Sequence, residues 1–243
     1  MRRRTAYFSG SWYPKKSEIC EKLILEFQNK YAAKKSILNA ANYFVGVAPH
    51  AGWVYSGALA NAVISTIAKQ NENTIDLIIL AGGHLAVNDA FYVMNDCLVE
   101  TPFGDLDCIF VSELFDGLKL QIEQPNSYEP DNTTELLLPF IKYYFPNIKI
   151  LICRIPPNDN ALEFSRKVIA LQKNNNSNIV FIASTDLTHY GYRFNFLRGG
   201  TNAAQAQKWA REVNDKKIID AALSLNSSGV LENGKTCQSA CCA

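Results

Sequence analysis

The chain has 243 residues, 48% of them hydrophobic and 19% charged, with a formal net charge of +1. That apolar content supports a sizeable core and excludes a disordered polymer. A charge near zero removes any global pull toward nucleic acid or anionic lipid, so neither is expected as a partner.

The opening MRRRTAYFSGSWYP is basic, but no apolar stretch follows, so no secretory leader is expected. Residues 17–34 form an amphipathic helix pattern, with Ile19, Leu23, Phe27 and Tyr31 at helical spacing and Ser17 as a cap. YFVGVA (43–48) is a continuous apolar run of the kind found in buried parallel strands. Residues 57–69 follow as a helix and IDLIILA (75–81) as a second buried strand. From 91 to 111, AFYVM and DLDCIFV are short strands separated by the TPFG turn.

TTELLLPFIKYYF (133–145) is expected as one helix, capped by Thr133 or Thr134 and bent at Pro139. IKILICRI (148–155) is a third buried strand, 159–173 a helix, NNNSN a loop, NIVFIAS (178–184) a fourth strand, and 201–225 helical. No run reaches the roughly 18–20 apolar residues of a membrane span, so no membrane is expected as a partner. The alternation predicts one domain over 1–243: an α/β three-layer sandwich with a central, mostly parallel (mixed) sheet flanked by helices.

The three histidines carry the functional signal. His50 follows the strand at 43–48, His84 the strand at 75–81 and His189 the strand at 178–184. Ligands bind at the carboxyl edge of such sheets. A lone histidine there most often caps or packs, whereas three at one edge argue for a shared site. Neutral imidazole is a metal ligand and also a general base. Two histidines plus one anionic ligand, with open positions, is a non-haem Fe(II) pattern. The anionic candidates are Asp186, Glu135 and a cysteine; Glu135 near a helix start has a second explanation in the helix dipole.

The seven cysteines (20, 97, 108, 153, 237, 241 and 242) are odd in number and irregularly spaced, as expected of reduced cytoplasmic thiols. Cys20 and Cys153 are expected as buried small hydrophobes. Cys241-Cys242 is a weak metal signal because no second matched pair exists, and the Cys- and Ala-rich end could equally be a disordered tail. Trp12, Tyr13, Trp53 and Tyr55 could wall a cleft or belong to the core.

RTAYFSGSWYP (4–14), APHAGWVYSG (48–57), AGGHL (81–85), ETPFGDL (100–106), DNTTELLLPF (131–140), STDLTHYG (184–191) and KTCQ (235–238) occur in the order found in the Memo family, also called AmmeMemoRadiSam system protein B. The sequence resembles that family over nearly its whole length. The resemblance implies a fold distantly similar to the class III extradiol, iron-dependent dioxygenases. It also implies a metal held by His50, His84 and Cys237, with Asp186 and His189 lining the same cleft. The animal members are linked to cell motility, cytoskeletal signalling, phosphotyrosine-peptide binding and copper or iron redox chemistry. The prokaryotic ones are associated with radical-SAM and AMMECR-type proteins.

The sequence departs from the family in three places. Asn132 replaces a histidine of the family's E-H-S-x-E block, Gln238 replaces the glycine after Cys237, and the family continues some tens of residues beyond this cysteine. Three functions follow as expectations. One is a redox enzyme with Fe(II), copper or zinc competing for the site, His189 as acid or base and Asp186 orienting it. Another is a binding or adaptor protein holding a peptide or small anion. The third is a metal-dependent hydrolase with Asp186 or Glu135 as base.

Overall fold

The computed structural model describes residues 2–31, 43–70, 75–199, 202–237 and 240–242. One nine-stranded sheet organises them. Its strands are β1 (Arg3–Arg4), β2 (Val45–Ala48), β3 (Leu77–Gly82), β4 (Phe91–Met94), β5 (Cys97–Val99), β6 (Leu106–Cys108), β7 (Leu120–Glu123), β8 (Lys149–Arg154) and β9 (Ile179–Ser184). The main path runs β1-β5-β6-β8-β3-β9-β2, and β4 joins β7 to β8. Only the β5/β6 and β4/β8 pairs are antiparallel. The mostly parallel, mixed sheet is thus as expected.

Both faces of this sheet are covered, which is why its central strands are continuous apolar runs. Alternate residues serve opposite faces. Ile78, Leu80, Ile150, Ile152, Val180 and Ile182 pack on one side; Ile79, Ala81, Leu151, Cys153, Ile179 and Phe181 pack on the other. The first face is covered by α1 (Ser17–Tyr31), α2 (Trp53–Gln70), α3 (Asn132–Glu135) and α4 (Leu138–Tyr144). The second is covered by α5 (Asn160–Asn175), through Phe164 and Val168, and by the short turn Ser112–Phe115. Three layers result, as expected for the sandwich.

Several boundaries differ from the sequence pattern. The helix expected over 57–69 starts at Trp53, directly after the His50 turn. The single helix expected over 133–145 is two helices. Asp131, rather than a threonine, caps the first, its side chain accepting the Thr133 amide at 2.8 Å. Pro139 sits in the first turn of α4, where a missing N–H removes no helical bond, so it starts a helix instead of bending one. Strand β2 is an edge strand with Val45 and Val47 exposed, not a fully buried one. Residues 32–34 of the expected first helix, and residue 201, lie outside the described residues.

The C-terminal part runs as α6 (Ala203–Trp209), a five-residue π-helical segment Ala210–Asn214, α7 (Asp215–Leu223) and α8 (Ser227–Cys237). Beyond α8, Ala240 pairs with Leu187 in an isolated antiparallel bridge. No helix among the described residues is long and apolar enough to cross a membrane.

Candidate metal centre

Strands β3, β9 and β2 are neighbours in that order and run parallel, so their carboxyl ends lie side by side. His84 follows β3, Asp186 and His189 follow β9, and His50 follows β2. Sheet order therefore converts three separate sequence positions into one site. The rings of His50 and His84 stand 5.2 Å apart and nearly perpendicular.

Among the described residues, the thiol at these histidines is that of Cys241, four residues beyond the Cys237 expected there. Cys237 ends α8, and its side chain lies outside the described residues. The Ala240–Leu187 bridge sets the neighbouring Cys241 against the loop that follows β9. Cys241 is then pinned by its amide, which donates to Asp186 O at 3.0 Å, and its Sγ accepts the Asp186 amide at 3.2 Å. Its Sγ lies 3.3 Å from His50 Nε2 and 3.5 Å from Cys242 Sγ. One donor atom from each of His50, His84, Cys241 and Cys242 falls within 4.8 Å of the others. Residues 241 and 242 are part of the site, and the vicinal cysteines are the residues that sequence reasoning undervalued; the Cys-Cys pair itself was the available signal.

His50 is buried and its tautomer is fixed. Ser184 Oγ gives its one proton to Thr133 O, so it accepts from His50 Nδ1 at 2.9 Å. A protonated Nδ1 leaves the Nε2 lone pair aimed at the Cys241 sulfur. This is the outer-shell arrangement that orients a ligating histidine. Asn132, which stands where the family pattern has a histidine, donates from Nδ2 to His50 O at 3.2 Å.

Asp186 holds the opposite side. Its Oδ1 accepts the His50 amide at 2.8 Å, and its Oδ2 lies 3.6 Å from His189 Nε2. Burial pushes the Asp186 carboxyl up, but the contact with His189 and the hydrogen bond from the His50 amide outweigh it and hold it below the ordinary value. The bond to Asp186 raises His189. A hydrogen bond to Cys241 raises His84. Cys241 is held far below an ordinary thiol by the Cys242 hydrogen bond and, against burial, by both histidines. Cys242 is pushed up by that same bond and by burial. Behind His84, Asp131 stands 3.9 Å from Nδ1 and 3.5 Å from Arg154 Nη1, and Arg154 in turn lies 2.7 Å from Glu123.

The histidine side of the site opens on a cleft of about 840 Å³ whose lining includes His50, His84, Asp186, His189, Asn132 and Arg193, while Cys241 lines a neighbouring cavity of about 320 Å³ together with His189 and Phe194. Trp12 and Tyr55 line the larger cleft as expected, Tyr55 being 87% exposed. Trp53 does not. It is 2% exposed, stacks on Phe140 at 4.1 Å and donates Nε1–H to Leu136 O at 3.0 Å. As the first residue of α2 it turns inward, and this corrects its expected place in the cleft. Glu135 is likewise displaced from the expected catalytic set. It is buried away from the cleft, where it accepts the Phe8 amide at 2.6 Å and the Tyr13 hydroxyl at 3.2 Å and pairs with Arg4 at 3.2 Å. It ties the N-terminal segment to α3.

Fold and site define an α/β sandwich protein with a His–Cys donor cluster at the carboxyl edge of its sheet. Residues 4–243 match the family of Memo-like proteins, and the chain belongs to the Memo family. It is 29% identical to a "MEMO1 family protein" of Nitrosopumilus maritimus over 192 residues, 77% of this chain and 69% of that protein. Against a "MEMO1 family protein" of Methanosarcina acetivorans it is 29% identical over 242 residues, 96% of this chain and 79% of that one.

Proposed function

We propose that this protein is a metal-binding cleft protein in which His50, His84 and Cys241 hold a redox metal, iron or copper. The observation that carries the reading is the position of the Cys241 sulfur, 3.3 Å from a His50 nitrogen and in one donor group with His84. The donor set fits such a group. Imidazole nitrogen and thiolate suit iron, copper and zinc, whereas magnesium and calcium call for oxygen ligands. A bound iron or copper supplies one-electron chemistry.

The chain's own residues supply the rest. Ser184 keeps His50 in the ligating tautomer. Asp186 faces His189 Nε2 at 3.6 Å, raises that imidazole and orients it beside the cleft, where it can act as acid or base. Arg193 offers a cation to an anionic ligand, and Trp12, Tyr55 and Phe194 offer apolar walls. The test is metal content after anaerobic purification. About one equivalent is expected in the wild type and none in His50→Ala or His84→Ala; a wild type at background level refutes the reading.

A second reading is a binding protein that uses the cleft to hold a peptide or small anion without turnover. The breadth of the exposed aromatic wall favours it. Oxygen consumption by the metal-loaded protein with catechol-type compounds separates the two.

A further inference from the structure

We infer that Cys242 is a fourth protein ligand, closing the centre into a His2Cys2 set. The inference rests on the metal reading above and narrows it.

Adjacent residues of an extended chain point to opposite faces. Here the backbone bends at Cys241, and both thiols face the histidines. Two contacts fix that bend from one loop. The Cys241 amide donates to Asp186 O at 3.0 Å, and the Cys242 amide donates to Thr185 Oγ1 at 3.2 Å. Both anchors lie just past β9, the same strand whose Ser184 orients His50. The second thiol is therefore placed by the same framework as the first.

The distances suit a common ion. With Zn–S near 2.3 Å and Zn–N near 2.0–2.1 Å, a tetrahedral site separates two sulfurs by about 3.8 Å and a sulfur from a nitrogen by about 3.6 Å. The two sulfurs here are 3.5 Å apart, and Cys241 Sγ lies 3.3 Å from His50 Nε2. Both separations fall within about 0.3 Å of that geometry, and all four donor atoms lie within 4.8 Å of one another, so a rearrangement of side chains alone would seat an ion. Neither thiol is fully buried, so the group is reachable by a metal from the solvent side.

Four protein donors change what the site selects. A closed set of two imidazoles and two thiolates suits Zn(II), and its thiolates also favour Cu(I); it leaves no position for a small co-substrate on iron. The vicinal cysteines then serve as a chelating pair, and the two-histidine, one-cysteine pattern implied by the family resemblance is extended in this chain.

The test is a Co(II) titration of the reduced full chain, followed by sulfur-to-cobalt charge-transfer absorption. The wild type is expected to give a tetrahedral spectrum with two-thiolate intensity. Cys242→Ser is expected to keep one equivalent of Co(II), bind it more weakly, and lose about half of the charge-transfer intensity, one thiolate of two. An unchanged spectrum and affinity in Cys242→Ser overturns the inference while leaving the metal centre standing. A wild type that takes up neither Co(II) nor Zn(II) overturns both. X-ray absorption of the zinc-loaded wild type provides a measurement independent of any variant: two sulfurs near 2.3 Å support the inference and one overturns it.

Discussion

Asp186 serves two histidines with its two oxygens: Oδ1 accepts the His50 amide at 2.8 Å, and Oδ2 faces His189 Nε2 at 3.6 Å. Removing the side chain frees the loop that carries His50, whereas Asp186→Asn retains an acceptor for that amide. Outer-shell losses of this kind cost about 10–100-fold in metal affinity. Asp186→Ala is expected to lose affinity in that range and Asp186→Asn to stay closer to the wild type, as read by competition with a chelator. Equal affinity in wild type and Asp186→Ala would contradict the orienting role.

Metal binding at this centre competes with protons, because a thiolate and neutral imidazoles are required. Affinity is expected to fall as pH drops toward about 5, and because the contact with Cys241 raises His84, the loss begins above the ordinary imidazole value of about 6.5. A titration monitored by calorimetry in two buffers of different ionisation enthalpy should also reveal protons released on binding. A flat affinity profile argues against this donor set.

The cysteines should differ sharply in reactivity. Burial pushes the Cys20 thiol up to about 12 and raises Cys153 as well, and both are inaccessible. Cys241 is half-buried, and its hydrogen bond with Cys242 lowers it relative to an ordinary thiol. In the metal-free protein an aromatic disulfide reagent is expected to modify Cys241 long before Cys20 or Cys153, and zinc loading should suppress that reaction. Mass spectrometry of the labelled peptides identifies the site.

Glu135 and Arg4 form a buried ion pair remote from the cleft. Leaving one buried charge unpaired costs about 3–5 kcal/mol. Glu135→Ala is accordingly expected to lose stability on that scale in urea unfolding, with metal content per folded protein unchanged. Loss of metal without loss of stability would return Glu135 to the functional set.

Trp53 and Tyr55 are two residues apart and should behave oppositely. Trp53→Ala removes a stacked core side chain, at a cost of about 3–5 kcal/mol. Tyr55→Ala, at an exposed cleft wall, is expected to stay within about 0.5 kcal/mol of the wild type. Its effect should appear in ligand binding alone.

The strands and half of the site were legible because buried strands show as apolar runs, and a residue after a parallel strand must reach the carboxyl edge. His50, His84 and His189 were found on that ground. Cys241 was not, because no periodicity marks NGKTCQSACCA, and the Ala240–Leu187 bridge that positions the thiol is a long-range contact. Trp53 was misplaced for a local reason: the helix begins at that residue, and two residues of a helix lie about 200° apart, so Trp53 faces the core while Tyr55 faces outward. Glu135 looked reactive because a carboxylate near conserved-type motif residues has no sequence mark that distinguishes a buried anchor for Arg4 and Tyr13 from an acid or base.

The donors come from residues 50, 84, 241 and 242, while Trp12 supplies the cleft wall and passes its carbonyl to the Trp53 amide at 2.9 Å. A donor group drawn from such distant parts of the chain comes together only once the sheet has formed, so a metal that it holds would be met by the folded protein. Overproduced protein would then meet whichever ion its host supplies at that moment. With thiolate and imidazole ligands, availability can override preference. The ion recovered from a purified sample thus records the loading history of the chain, and physiological occupancy has to be read from protein isolated at native abundance.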